Sequence, residues 1–69
     1  MLGQEVRKAR LAAGLTQEQL AAKAEISREY VNYIERGKRQ PTVVVFIRLC
    51  KAMRIYPSDL LARIVGPPR

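Results

Sequence analysis

Histidine is absent from this chain of 69 residues, and cysteine occurs once, as Cys50. The first absence excludes a cysteine–histidine zinc site. It also excludes a serine–histidine or cysteine–histidine nucleophile pair. The second excludes an internal disulfide. Acidic residues are scarce: six Asp+Glu stand against thirteen Lys+Arg, a net charge of +7. No apolar run reaches the ~18 residues a membrane-spanning helix needs. The opening segment MLGQEVRKAR lacks the apolar core of a signal peptide. A cytoplasmic location is therefore expected, and a lone free thiol fits it.

What remains is one small, basic domain. Chains this short bury only a modest fraction of their surface, and their stability is marginal without a staple or a partner. Compaction must come from the hydrophobic core, with dimerisation as a further aid. Apolar residues make up 48% of the chain, enough for one core. The positive surface repels its own copies and attracts polyanions. Nucleic acid and an anionic membrane are the two candidates.

Glycine and proline divide the chain. Gly14, then Gly37 with Pro41, then Gly66-Pro67-Pro68 separate short apolar-periodic pieces. Residues 2–13 are expected to form a first helix, with Leu2, Val6, Ala9 and Ala13 as its apolar stripe. Gly14 ends it by taking a positive φ. Thr16 opens a second helix with a capping box, Thr16-Gln17-Glu18-Gln19. Its inner stripe is Leu20, Ala21 and Ala24. Ser27 is a good N-cap for a third helix. Only Glu25 and Ile26 separate helices two and three, so the two must cross steeply, and Ala21 is small where they would cross. This is the helix-turn-helix pattern.

Thr42 caps a fourth helix over roughly 43–54, with Val43, Phe46, Cys50 and Met53 at helical spacing. The VVVFI run alone would suit a strand. The stripe continuing through Leu49, Cys50 and Met53 decides for helix. Pro57 suits a first helical position and Asp59 the positive helix end, which predicts a fifth helix at 57–65. The expected fold class is all-α, five short helices, with a domain over 1–66 and a tail at 67–69.

The third helix carries ISREYVNYIERGKR, residues 26–39. At ~100° per residue, Val31 and Ile34 define its inner face. Arg36, Glu29 and Asn32 cluster opposite, flanked by Arg28 and Tyr33. Such a face is ordinarily just solvated. Three features shift the balance here: the tight turn before it, the basic chain, and the residue types. Arg can take guanine O6 and N7, Asn can take adenine N6 and N7, and Glu can accept from cytosine N4. An α-helix fits the major groove, and the second helix of a helix-turn-helix is the one that enters it.

The stretch GLTQEQLAAKAEISREYVNYIERGKRQP resembles the family of phage Cro and repressor helix-turn-helix proteins, also called Xre-like. The resemblance runs over roughly residues 2–65. GLTQEQLA, Ile26-Ser27, YIERG and Pro41 carry it in combination. Leu20, Ala21, Ala24, Ile26, Val31 and Ile34 fall where this family is apolar. It implies a five-helix, lambda-repressor-like domain that binds operator DNA as a homodimer. By position, it implies that Arg28, Glu29, Asn32 and Tyr33 read bases. It implies that Gln17, Lys38 and Arg39 contact phosphates. Arg10 and Glu35 match a partly buried ion pair that ties helix one to helix three in some members. Two positions depart from the pattern: Glu25 and Arg54 stand where the family often has glycine. A left-handed Glu25 would cost ~1–2 kcal/mol.

The remaining residues suggest packing or solvation. Cys50 reads as a small buried hydrophobe, and Tyr30 leans toward the inner face. Val44 and Val45 point away from the Val43–Phe46–Cys50 stripe, and Leu61 and Val65 lie off the Leu60–Ile64 stripe. Exposed apolar groups suggest a partner surface, with local core packing an equal alternative for Val45, and the expected interface is a two-fold dimer through Leu61 and Val65. The leading expectation is a sequence-specific transcriptional regulator, such as a prophage repressor or a restriction–modification controller. The alternative is an antitoxin-like protein whose main partner is a toxin. A non-specific nucleic-acid binder is a third reading, and Glu29 argues against it because phosphate repels a carboxylate. No catalytic constellation, cofactor, metal or small-molecule substrate is expected.

Overall fold

The computed structural model describes residues 1–66. They form five α-helices and no strand: α1 Leu2–Ala12, α2 Gln17–Ala24, α3 Arg28–Glu35, α4 Val43–Ala52 and α5 Pro57–Val65. The tail expected at 67–69 lies outside the described residues.

The starts of α2, α3, α4 and α5 each have a local cause. Thr16 Oγ1 accepts from the Gln19 N–H at 3.0 Å, and Gln19 Oε1 accepts from the Thr16 N–H at 2.9 Å. This reciprocal box satisfies two donors that a helix end leaves orphaned. Ser27 Oγ accepts from Tyr30 N–H at 3.0 Å to open α3. Thr42 Oγ1 accepts from Val45 N–H at 3.2 Å to open α4. Proline stands at the head of α5, with Asp59 in its first turn. At the other end of α1, Gly14 takes φ +74°. The chain reverses there, and Leu15 N–H reaches back to the Arg10 carbonyl at 3.1 Å.

The helices enclose one core: Val6, Ala9, Leu20, Ala21, Ala24, Val31, Ile34, Leu49, Cys50, Met53 and Leu60. α2 packs against α3 and α4, α1 against α3 and α5, and α4 against α5. The small side chains of Ala21 and Ala24 let α2 lie close to its neighbours.

Three expectations about the core need correction. Ala13 is exposed, because α1 ends at Ala12 and Ala13 belongs to the turn. The buried face of α1 instead includes Gly3 and Arg10. Val43 is 75% exposed. It is the first residue of α4, and the buried stripe runs through Leu49, Cys50 and Met53, with Val45 and Phe46 packed against it. Val45 thus turns inward, not outward, while Val44 does face solvent. α4 also ends at Ala52, short of the expected residue 54, because Arg54 leaves the helix at φ +56°.

Candidate nucleic-acid interface

The interface is built on α2, its turn and α3. Glu25 ends α2 in the left-handed conformation, φ 59° and ψ 43°. Ile26 N–H then donates to the Ala21 carbonyl at 3.0 Å. The Ile26 side chain packs against the core, the apolar contact that usually accompanies such a helix ending. The Glu25 N–H also donates to the Ala22 carbonyl at 3.3 Å, so the turn is fixed by two backbone bonds and one anchor. It sets the angle at which α3 leaves α2.

α3 divides cleanly. Val31 and Ile34 are buried, at 0% and 1% exposure. Arg28, Glu29 and Tyr33 are exposed and Asn32 is half-buried. The four proposed base readers therefore share the accessible side of one short helix. Arg28 and Glu29 occupy its first turn, the part a helix-turn-helix presents to base edges. Glu29 also sits where the helix dipole favours a negative charge.

The loop after α3 folds back onto the helix. Lys38 N–H donates to the Tyr33 carbonyl at 2.8 Å, and Arg39 N–H donates to the same oxygen at 3.3 Å. This pins the basic Arg36–Arg39 segment beside Tyr33. Arg39, Tyr33, Tyr30, Glu29 and Ser27 line one shallow depression. Among the described residues the ion pairs are Lys8–Glu5 and Arg10–Glu35. Arg28, Arg36, Lys38 and Arg39 have no anionic partner there, so their charges face outward.

Gln17 opens α2 and is half-buried. It lines an open hollow together with Thr16, Gln19 and Arg28. Its amide is not free: Gln17 Nε2 donates to Glu35 Oε1 at 3.2 Å. Glu35 also receives Arg10, Nε to Oε2 at 2.6 Å and Nη2 to Oε1 at 3.1 Å. Arg10 Nη1 donates to the Leu15 carbonyl at 2.9 Å. One guanidinium thus joins α1, the turn before α2, and the end of α3. Both partners are buried, at 7% and 9% exposure. No buried side-chain polar atom among the described residues lacks a partner. The tie from Gln17 to Glu35 escaped the sequence reading. An amide and a carboxylate 18 residues apart carry no local signal of contact.

The sole thiol, Cys50, is buried in the core away from this face. The chemistry the face offers is hydrogen bonding, charge and aromatic contact.

A family model described as helix-turn-helix matches residues 6–60. The chain belongs to the Cro/C1-type helix-turn-helix family. Control protein C.BamHI of Bacillus amyloliquefaciens is 37% identical over 62 residues, covering 88% of this chain and 76% of the relative. An HTH-type transcriptional regulator of Sinorhizobium fredii, y4dJ, is 33% identical over 61 residues, covering 88% and 79%. The crystal structure of the restriction–modification controller C.AhdI from Aeromonas hydrophila superposes with a TM-score of 0.83 at 41% identity. The match covers 86% of this chain and 89% of that one. As a Cro/C1-type protein, the chain is a DNA-binding transcriptional regulator. Its five helices and the placing of its helix-turn-helix on α2 and α3 agree with that membership.

Proposed function

We propose that this protein is a homodimeric, sequence-specific regulator of the restriction–modification controller kind, reading a palindromic operator through α3. One observation carries the reading. α3 buries both its aliphatic side chains and turns Arg28, Glu29, Asn32 and Tyr33 to one accessible side, above a basic loop with no anionic partner. A scaffold that needed only solubility would not require a carboxylate in the first turn of that face. Beside phosphates, Glu29 is favourable only if it has a donor to read, and cytosine N4 is one.

The division of labour follows from chemistry. Arg28, Glu29, Asn32 and Tyr33 specify, because they can reach base edges. Gln17, Lys38 and Arg39 hold register on phosphates, which carry no sequence information. Dimerisation through Leu61 and Val65, 46% and 77% exposed on α5, sets two copies of α3 ~34 Å apart on one face of the duplex. The likeness to C.BamHI and C.AhdI supports the controller reading.

The test is selection of binding sites from random duplex DNA with purified protein, at near-physiological salt. The expected result is an enriched palindrome with half-sites about one helical turn apart. Binding without enrichment that collapses as salt rises would mark a non-specific binder and overturn the reading.

A further inference from the structure

The Arg10–Glu35 pair is complete without Gln17. A bidentate guanidinium already engages both carboxylate oxygens. The third bond, from Gln17 Nε2 to Glu35 Oε1, is therefore not needed to compensate the buried charge. Its effect falls on Gln17. A glutamine amide presents an oxygen on one side and two N–H donors on the other, and in solution either can face a given neighbour. An ionised carboxylate only accepts. Glu35 thus selects one of the two amide orientations, with Nε2 inward. The long side chain, at the head of α2, then has its rotamers restricted before any ligand arrives. One N–H on Nε2 remains for an outside acceptor, and Gln17 lines the hollow it shares with Arg28.

We propose that Glu35 is a positioning residue for DNA binding: through Gln17 it presents one oriented amide N–H to a phosphate oxygen beside the base readers. This rests on the operator-binding reading above and names a device within it. Glu35 itself, buried at the end of α3, touches no DNA. The ordering cost of a flexible side chain is met during folding, so it does not weaken binding. The same carboxylate also ties this donor to the helix that carries Arg28, Glu29 and Asn32. The phosphate contact and the base contacts then move as one body.

The experiment compares Arg10→Met/Glu35→Leu, Gln17→Ala and their combination with the parent chain. Affinity is measured on the operator selected by the parent. The paired replacement removes both charges together, so the net charge stays at +7, and an apolar pair can replace a buried ion pair without leaving an orphaned charge. The expected result is a loss of affinity of about fivefold, the scale of one hydrogen bond, with an unchanged salt slope. In the Gln17→Ala background the same replacement is expected to change nothing further. An equal loss in that background would assign the pair a merely structural role and overturn the proposal. An unaffected affinity would also overturn it. A second measurement needs no core variant. In the free parent protein the Gln17 side-chain amide is expected to be ordered, with an NMR order parameter above about 0.6. The exposed Gln40 amide serves as the mobile reference. A Gln17 amide as mobile as Gln40 overturns the proposal. A parent with no selected operator overturns the regulator reading and this proposal with it. A parent that binds its operator while the variants ignore the pair overturns this proposal alone.

Discussion

Gly3 lies so close beneath Ile34 that a Cβ at position 3 would meet the Ile34 carbonyl oxygen at 2.5 Å, and the Glu35 carbonyl oxygen at the same distance. α1 approaches the end of α3 at this point with no side chain between them. The atoms in the way are backbone, which cannot rotate aside. Gly3→Ala should therefore destabilise the fold by about 1–3 kcal/mol, although alanine favours a helix by up to about 1 kcal/mol over glycine. Urea denaturation of the two chains measures it. A variant as stable as the parent would show that the two helices separate readily.

Glu25 and Arg54 both hold positive φ, 59° and 56°. An L-residue pays about 1–2 kcal/mol there relative to glycine. Glu25→Gly is expected to raise stability by about 1 kcal/mol and Tm by about 4–8 °C, with Arg54→Gly acting in the same direction. Thermal unfolding followed by circular dichroism gives the answer. No gain at Glu25 would mean that its side chain compensates the strain.

The helix starts were legible in the sequence because their causes are local. Thr16, Ser27, Thr42 and Pro57 each mark a start with the chemistry found in the structure. The buried faces were less so, for two reasons. Gly3 and Arg10 lie on the inner side of α1, but hydrophobic periodicity cannot flag a glycine or an arginine. Val43, Val44 and Val45 are chemically alike, so the rotation of α4 rests on which neighbours cover it, and the sequence does not say. The exposed side of α3 was readable because Val31 and Ile34 fix its phase unambiguously. The Gln17–Glu35 contact was not, since only the assembled fold brings the two together.

Arg28 and Lys38 are expected to fail differently. Arg28→Ala should cost about 1–3 kcal/mol at one base pair and relax selectivity there. Lys38→Ala should weaken all sequences alike and flatten the salt dependence by about one charge. Titrations on the selected operator and on single-base variants, at several salt concentrations, separate the two. Operator affinity unchanged by Arg28→Ala would remove that residue from the readers.

Leu61 and Val65 bring the dimer under test. Leu61→Glu places a charge in the proposed interface, and sedimentation equilibrium at tens of micromolar is expected to shift from dimer to monomer. Leu61 is already 46% exposed in the single chain, so the fold should tolerate the change. A parent that sediments as a monomer would remove α5 as the interface.

Burial pushes the Cys50 thiol up from its usual 9.0, because the thiolate would lose its water. In the unfolded chain the thiol ionises at its ordinary value, so rising pH favours unfolding through this group. Its contribution to stability is fully present below pH 9.0 and is lost as pH rises toward the folded value. Denaturation midpoints at neutral and strongly alkaline pH, for the parent and for Cys50→Ala, isolate the effect. The alkaline drop should be smaller in the variant.

α5 rests on α1 and α4, whereas α3 rests on α1 and α2. In the proposed dimer, α1 is then the strut that joins the subunit boundary to the reading helix. It would connect a two-fold axis at α5 with the side of α3 proposed to enter the groove. In such a dimer α1 would act as a ruler: its seating against α3 through Gly3 and Arg10 would set how far apart the two half-sites of an operator can stand. A substitution there, remote from every base, would be felt as a changed tolerance for the spacer between them.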